Sequence, residues 1–235
     1  MAAQRLGAKA SEKRRDLEQL RAINAAITTA GSTLNLFGSL KKQYVAALAA
    51  DHEARTSELK EWQAKSSGQP FEFSADLKIL SPLRPPIPAL EKLLYDKIDA
   101  SHSILALFGF LTQSIDNLDW AMRERNAIIE QLQASPSKSH TERAQIHFGL
   151  ASSEGHSDSR YPDCILAMSR YTNDSIVFSY AIAKQMVRDG EALRLKIGKE
   201  APSLVQPDFE RIESLKIIPD LDEYQAIFAS LQVEI

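Results

Sequence analysis

The apolar residues between positions 90 and 132 recur at alternating steps of four and three, which places them on one stripe of a helix. Ten of the thirteen positions in this stripe are apolar. The pattern predicts a long helix over about 88–134, and a helix carrying the stripe would extend about 65 Å at ~1.5 Å per residue. The stripe comprises Leu90, Leu94, Lys97, Ser101, Ile104, Phe108, Leu111, Ile115, Leu118, Met122, Arg125, Ile129 and Leu132.

A second stripe of the same coiled-coil-like spacing predicts a helix over about 11–63. A third long helix is expected over about 162–189, with Gly190 as its stop or kink. A short amphipathic helix is expected at about 221–232, behind a capping pattern. The second stripe comprises Leu20, Ile23, Ile27, Ala30, Leu34, Phe37, Lys41, Tyr44 and Leu48.

These elements predict an all-α fold: an elongated bundle of three long antiparallel helices plus short C-terminal helices. We expect residues 1–10 to form a flexible N-terminus and residues 11–235 to form a single helical-bundle domain. The connection to the second helix contains five prolines between Pro70 and Pro88, so it should be irregular. Its apolar residues indicate that it packs along the bundle.

Lys41, Lys97 and Arg125 interrupt the apolar stripes. A polar residue in such a seam can pair with a buried acid, for which Asp119 and Glu124 are candidates. Alternatively, its aliphatic stem is buried while its charged head stays in water, and this snorkelling is the more common outcome.

Composition and charge narrow the function classes only a little. The net charge of −3 argues against a dominant nucleic-acid-binding surface. The single cysteine, Cys164, excludes an internal disulfide, and together with the lack of a secretory pattern in residues 1–15 it favours a cytoplasmic location. The uncharged run Ala22–Leu40 contains too many polar residues for a typical membrane span, so a buried bundle helix is the better interpretation.

Three of the five histidines fall within seventeen residues and form the main candidate for chemistry. Imidazole and thiolate are ligands of zinc and other transition metals, so His140, His147, His156 and Cys164 are candidate metal ligands. None of these residues has the tight spacing of a specific metal motif. The competing interpretation is a polar surface loop whose histidines are solvated.

A repeated Ser-Arg-Tyr sequence provides candidate interaction residues: Arg160, Tyr161, Arg170 and Tyr171. Arginine beside an aromatic ring can bind phosphate and stack on a base. Ten residues apart on one helix, the two copies would point roughly 80° apart. Coincidence is therefore the favoured explanation of the repeat.

No catalytic motif and no cofactor motif stands out, so the sequence leans towards a non-enzymatic protein. The first hypothesis is protein–protein interaction or self-assembly, with a protein partner or a homo-oligomer. The alternative is a membrane-active protein of the pore-forming kind, which could use the apolar segments Ala22–Leu40 and Ile104–Leu111 for membrane contact. A second alternative is a metal-binding or hydrolytic protein that uses the segment 140–164.

Overall fold

The structure is a computed structural model that describes residues 2–65, 71–135, 139–152 and 155–235, with side chains from residue 7 onward. Helices account for 76% of the chain and no sheet is found in the described ranges, so the predicted all-α helical bundle is confirmed. The α-helices are α1 (Ala2–Leu40), α2 (Ala46–Lys65), α3 (Ile87–Asp96), α4 (His102–Ala134), α5 (His140–Phe148), α6 (Arg160–Ile197), α7 (Phe209–Ser214) and α8 (Gln225–Leu231).

The first predicted helix is present and begins earlier than expected. Residues 2–10, which we predicted to be a flexible N-terminus, belong to α1. A π-helical turn over Lys41–Val45 joins α1 to α2. This wider turn re-aims the side chains that follow α1, and such turns are frequent at functional sites. The predicted loop at 66–70 lies outside the described residues.

The single helix predicted over 88–134 is two helices in the structure, α3 and α4. The interruption falls where Lys97 and Ser101 replace apolar residues in the stripe, and both are exposed. The hydroxyl of Ser101 accepts a hydrogen bond from the backbone N–H of Ile104 at 3.3 Å, which caps the start of α4. Two polar positions in the stripe thus mark a break rather than a buried contact.

The third long helix continues through Gly190 to Ile197 instead of stopping there. At Gly190 an added Cβ would lie 2.5 Å from a methyl of Leu204 and 3.1 Å from a methyl of Ile23. The glycine therefore allows close packing within a continuous helix. At the C-terminus, the short helix predicted at 221–232 is a 3₁₀ turn (Leu221–Tyr224) followed by α8.

Contacts divide the chain into two compact units. The first unit comprises residues 1–38, 85–113 and 173–235, and the second comprises residues 39–84 and 114–172. We expected a single domain over 11–235, and that expectation stays a prediction. None of the helices in the described ranges combines the length and the apolar composition needed to cross a membrane.

In the first unit, α1 and α6 run antiparallel around an apolar core. Lys196 of α6 pairs with Asp16 of α1 at 2.8 Å, and Gly190 of α6 lies against Ile23, seven residues further along α1. The segment after α6 is held to α1 by Asn24, whose side-chain amide donates to the carbonyl of Ser203 at 2.9 Å. The predicted stripe is buried here: Leu20, Ile23, Ile27, Ala30, Leu34 and Phe37.

In the second unit, the irregular segment 71–84 packs along two helices, as predicted. It runs antiparallel to α2, because Phe71 lies beside Trp62 and Lys78 lies over the ring of Tyr44. It also runs antiparallel to α4, where Leu77 and Leu80 are held by side-chain amides. Because the segment is antiparallel to both helices, α2 and α4 run in the same direction.

Candidate functional site

A fully buried arginine, Arg125 of α4, lies at the centre of the second unit. Its Nη1 donates to the carbonyl of Lys78 at 2.9 Å. Its Nη2 donates to the carbonyl of Asp76 at 3.0 Å and to the hydroxyl of Tyr44 at 2.5 Å. No carboxylate is among these partners in the described part of the chain, so neutral acceptors solvate a buried cation. Arg125 thereby fixes the segment 71–84 and the π-helical turn to α4.

Two aromatic rings complete the surroundings of the guanidinium. The Arg125 Cζ atom lies 5.4 Å from the ring centroid of Tyr44 and 6.0 Å from that of Tyr161. The negative face of an aromatic ring attracts a cation, so both rings stabilise the buried charge. Burial raises the pKa of Tyr44 to about 12 against the opposing effect of Arg125, and the phenol is therefore neutral near pH 7.

These partners differ from the ones that the sequence suggested for Arg125. Asp119 pairs with Arg123 and Glu124 pairs with Arg160, so neither acid bonds to Arg125. Snorkelling is also wrong for this residue, because its whole side chain is buried. The helical period placed Arg125 correctly on the core-facing stripe. Its acceptors come from the irregular segment 71–84, which the helical pattern does not describe.

Asn126, the next residue of α4, fastens the same segment. Its side-chain amide donates to the carbonyl of Leu80 at 2.7 Å and its Oδ1 accepts from the N–H of Leu80 at 3.1 Å. This pair of bonds satisfies both backbone groups of one extended residue, as a neighbouring strand would. Arg125 and Asn126 together explain how the segment 71–84 packs without regular secondary structure.

His147 of α5 lies in an aromatic cluster beside the arginine. Its side chain is 4% exposed, and its ring centroid is 5.0 Å from those of Phe73 and Tyr161. Its Nε2 is buried and has no hydrogen-bond partner in the structure. Burial, helped by His52 and Arg125, lowers the pKa of His147 to about 4, so the imidazole is neutral near pH 7.

The turn before α5 explains why His147 points inwards. Ser139 accepts from the N–H of Glu142 at 3.2 Å, and the Glu142 carboxylate accepts from the N–H of Ser139 at 2.7 Å, which is a capping box. At the other end Gly149 adopts φ 65°, a left-handed conformation that suits glycine. These two caps define the ends of α5, and His147 lies on the buried face of that helix.

The structure brings together two of the four candidate metal ligands. His140 and His147 line one cavity of the second unit. His156 is exposed, and its carbonyl accepts a hydrogen bond from the N–H of Ser152 at 2.7 Å. Cys164 is buried, and burial raises the pKa of its thiol to about 11, so the thiolate is scarce near pH 7. Within the ranges described, no group of three or more His, Cys, Asp or Glu side chains is placed to hold a metal ion.

The two Ser-Arg-Tyr sequences have different surroundings. Arg160 is exposed and pairs with Asp158 at 2.8 Å and with Glu124 at 3.3 Å. Its neighbour Tyr161 is buried against Arg125, so its ring does not reach the surface. Arg170 is exposed and Tyr171 is half-buried. In the first copy, therefore, Arg160 forms surface ion pairs and Tyr161 is part of the core.

Two large apolar side chains of the second unit are exposed at a similar level along α4 and α6. Trp120 of α4 is 62% exposed and Leu166 of α6 is 70% exposed. The Glu124–Arg160 ion pair and the Phe110–Phe178 ring contact show that α4 and α6 run antiparallel, and the ion pair sets their register. Trp120 precedes Glu124 by four residues, and Leu166 follows Arg160 by six. Because the two helices are antiparallel, both steps run the same way along the helix axes, by ~6 Å and ~9 Å. We call these two residues the Trp120–Leu166 surface.

No protein-family model matches this chain, and neither a curated protein nor a solved structure is significantly similar to it. The buried cluster around Arg125 holds a fixed cation, a neutral phenol and a neutral imidazole, which suits packing and polar recognition better than proton transfer. The Trp120–Leu166 surface, in contrast, faces outwards.

Proposed function

We propose that this chain acts through protein–protein interaction, with a second copy of the chain as its partner, and that the Trp120–Leu166 surface forms the contact. The observation that carries the proposal is the exposure of these two large apolar side chains at one level of adjacent helices. Tryptophan is enriched among the residues that contribute most to protein interfaces. Burying both side chains would remove apolar area from water on each copy.

The charges around this surface support self-association. Asp119, which precedes Trp120 in α4, pairs with Arg123. On α6, the exposed residues Asp163 and Arg170 flank Leu166 on either side. A two-fold interface brings the same patch against itself, so it requires a surface with both signs of charge. A surface of one sign would repel its own copy.

A non-enzymatic role and a cytoplasmic location belong to the same proposal. The one thiol of the chain, Cys164, is buried and forms no disulfide, which suits a reducing compartment. The proposed association needs neither a cofactor nor a metal, because it depends on apolar contact and charge alone.

Sedimentation velocity of the full-length protein over a wide range of concentrations tests the proposal. We expect a reversible dimer, because the exposed apolar surface is self-complementary in charge. Trp120→Glu and Leu166→Glu should each weaken the dimer by at least about thirtyfold, the effect of an interface residue worth ~2 kcal/mol. Circular dichroism of each variant checks that the fold is kept.

Leu195→Glu is the matched control, since Leu195 is 84% exposed and lies in the first unit. It should leave the dimer unchanged. A protein that stays monomeric at every concentration would overturn the proposal. So would a dimer that tolerates both Trp120→Glu and Leu166→Glu, because its contact would then lie elsewhere.

A further inference from the structure

The second unit contains a small cavity between the segment 71–84, α4 and α5. Its volume is about 150 Å³. Four of its lining side chains are hydrocarbon and three carry nitrogen. They are Phe73, Ala75, Leu77 and Leu132, with His140, Arg143 and His147.

The size and walls of this cavity fit one aromatic ring. An apolar cavity of roughly 150 Å³ in another protein takes up benzene. Phe73, Leu77 and Leu132 provide comparable apolar walls. The ring of Phe73 is already in contact with the rings of His140 and His147, at centroid distances of 5.3 Å and 5.0 Å. A guest ring would join an existing aromatic cluster.

The three nitrogen-bearing side chains all come from one face of α5. His140, Arg143 and His147 follow a spacing of three and four, which aligns them along a helix. His140 and Arg143 are exposed, whereas His147 is buried with an unpartnered Nε2. The cavity therefore has a cationic rim at Arg143 and a polar atom beneath it that lacks a hydrogen bond.

We propose that this cavity binds a small molecule made of one aromatic ring and a carboxylate. The ring packs against Phe73 and Leu77, and the carboxylate lies at the rim, where the positive charge of Arg143 attracts it. Among the described residues, no acid lines the cavity, so nothing there favours an amine over a carboxylate. This site is independent of the Trp120–Leu166 surface, and either proposal can fail without the other.

Fluorine NMR with two probes tests the inference on the full-length protein. 4-Fluorobenzoate carries both the ring and the carboxylate, and fluorobenzene carries the ring alone. We expect saturable binding of 4-fluorobenzoate with one site per chain. Arg143→Gln should weaken that binding at least tenfold and leave the binding of fluorobenzene unchanged, because only the carboxylate contacts the guanidinium.

Two further variants separate the cavity from the protein surface. Ala75→Phe places a ring in the cavity and should abolish the binding of both probes, while circular dichroism confirms that the fold is kept. Arg84→Gln removes an exposed arginine of the same unit that does not line the cavity, and it should change neither affinity.

Three results would overturn the inference. The first is the lack of saturable binding of 4-fluorobenzoate by the folded protein. The second is binding that survives Ala75→Phe in a folded variant, since the probe would then lie outside the cavity. The third is an affinity for 4-fluorobenzoate that Arg143→Gln leaves unchanged, because the carboxylate would then have no partner at the rim.

Discussion

In the first unit the buried hydroxyls of Thr33 and Ser179 bond within their own helices, whereas in the second unit the buried guanidinium of Arg125 bonds to several elements. Thr33 donates to the carbonyl of Thr29 at 3.0 Å and Ser179 donates to that of Ser175 at 2.6 Å, each one turn back on the same helix. Arg125 in the second unit donates to three groups at sequence separations of 47, 49 and 81.

The difference follows from the number of hydrogen-bond donors. A hydroxyl has one proton, and a carbonyl of its own helix can accept it without help from other elements. A guanidinium has five N–H donors at the end of a long side chain, too many and too far from the backbone for the carbonyls of its own helix to satisfy. A buried arginine therefore needs acceptors from elsewhere, and the segment 71–84 supplies two of them. The second unit thus needs long-range acceptors for a buried cation, and no such cation is buried in the described residues of the first unit.

Arg125→Ala should break the second unit more severely than any single hydroxyl deletion breaks the first. It leaves the Tyr44 hydroxyl and the carbonyls of Asp76 and Lys78 without their donor, and it opens a cavity between two aromatic rings. We expect a loss of about 3 kcal/mol or more in the free energy of unfolding. Urea denaturation followed by circular dichroism measures it.

Thr33→Val is the matched change in the first unit, because its buried hydroxyl bonds only to its own helix. The carbonyl of Thr29 keeps its helical partner, so the cost should be about 1 kcal/mol or less. An equal cost for Thr33→Val and Arg125→Ala would contradict the contrast between the two units.

His147 should make the stability of the fold depend on pH between about 6.5 and 4. Its pKa is about 4 in the folded protein, because burial disfavours the charged imidazole, against an ordinary value of 6.5 in the unfolded chain. The unfolded chain therefore binds the proton first as the pH falls. Stability is complete above pH 6.5 and decreases towards pH 4, by about 3 kcal/mol in all.

Urea denaturation at pH 7 and pH 4.5 checks this expectation, with His147→Phe as the variant that keeps a ring and removes the titration. That variant should lose most of the difference between the two pH values. His156→Gln removes an exposed histidine and should keep the difference. If His147→Phe kept the full pH dependence, another group would be responsible for it.

Helical periodicity predicted the cores of both units wherever apolar side chains meet apolar side chains. Ile104 to Leu132 of the first stripe and Leu20 to Phe37 of the second are largely buried, as their spacing indicates. The period could not distinguish a polar residue that ends a helix, such as Lys97, from one that is buried, such as Arg125. That distinction depends on whether acceptors lie nearby in space.

The candidate site was predictable only in part for the same reason. The sequence singles out His147 through its proximity to other histidines, but its actual neighbours are aromatic rings from three other segments, among them Phe73 and Tyr161. Tyr44 belongs to an apolar stripe, and nothing in the spacing indicates the π-helical turn that brings it to Arg125. The carbonyls of the segment 71–84 have no signature in the side-chain pattern.

The smallest changes in stability are expected from alanine substitutions at two glycines that lie inside helices of the first unit. A Cβ added at Gly190 would lie 2.5 Å and 3.1 Å from methyl groups of Leu204 and Ile23, whereas a Cβ at Gly31 of α1 would meet open space. Both changes to alanine bring the same gain in helix propensity, up to about 1 kcal/mol. At Gly190 the crowding of a rigid isoleucine and a buried leucine should exceed that gain. Gly190→Ala should therefore lower the melting temperature by about 2–4 °C for each kcal/mol lost, while Gly31→Ala raises it.

Thermal unfolding of these two glycine variants compares them directly. Because the gain in helix propensity is common to both variants, the difference between their melting temperatures reports on apolar packing at Gly190. Such packing stabilises the first unit, whereas the core of the second unit also contains the polar contacts of Arg125. A rise in melting temperature for both variants would mean that Leu204 moves aside at little cost, and that packing against α6 is looser than the structure indicates.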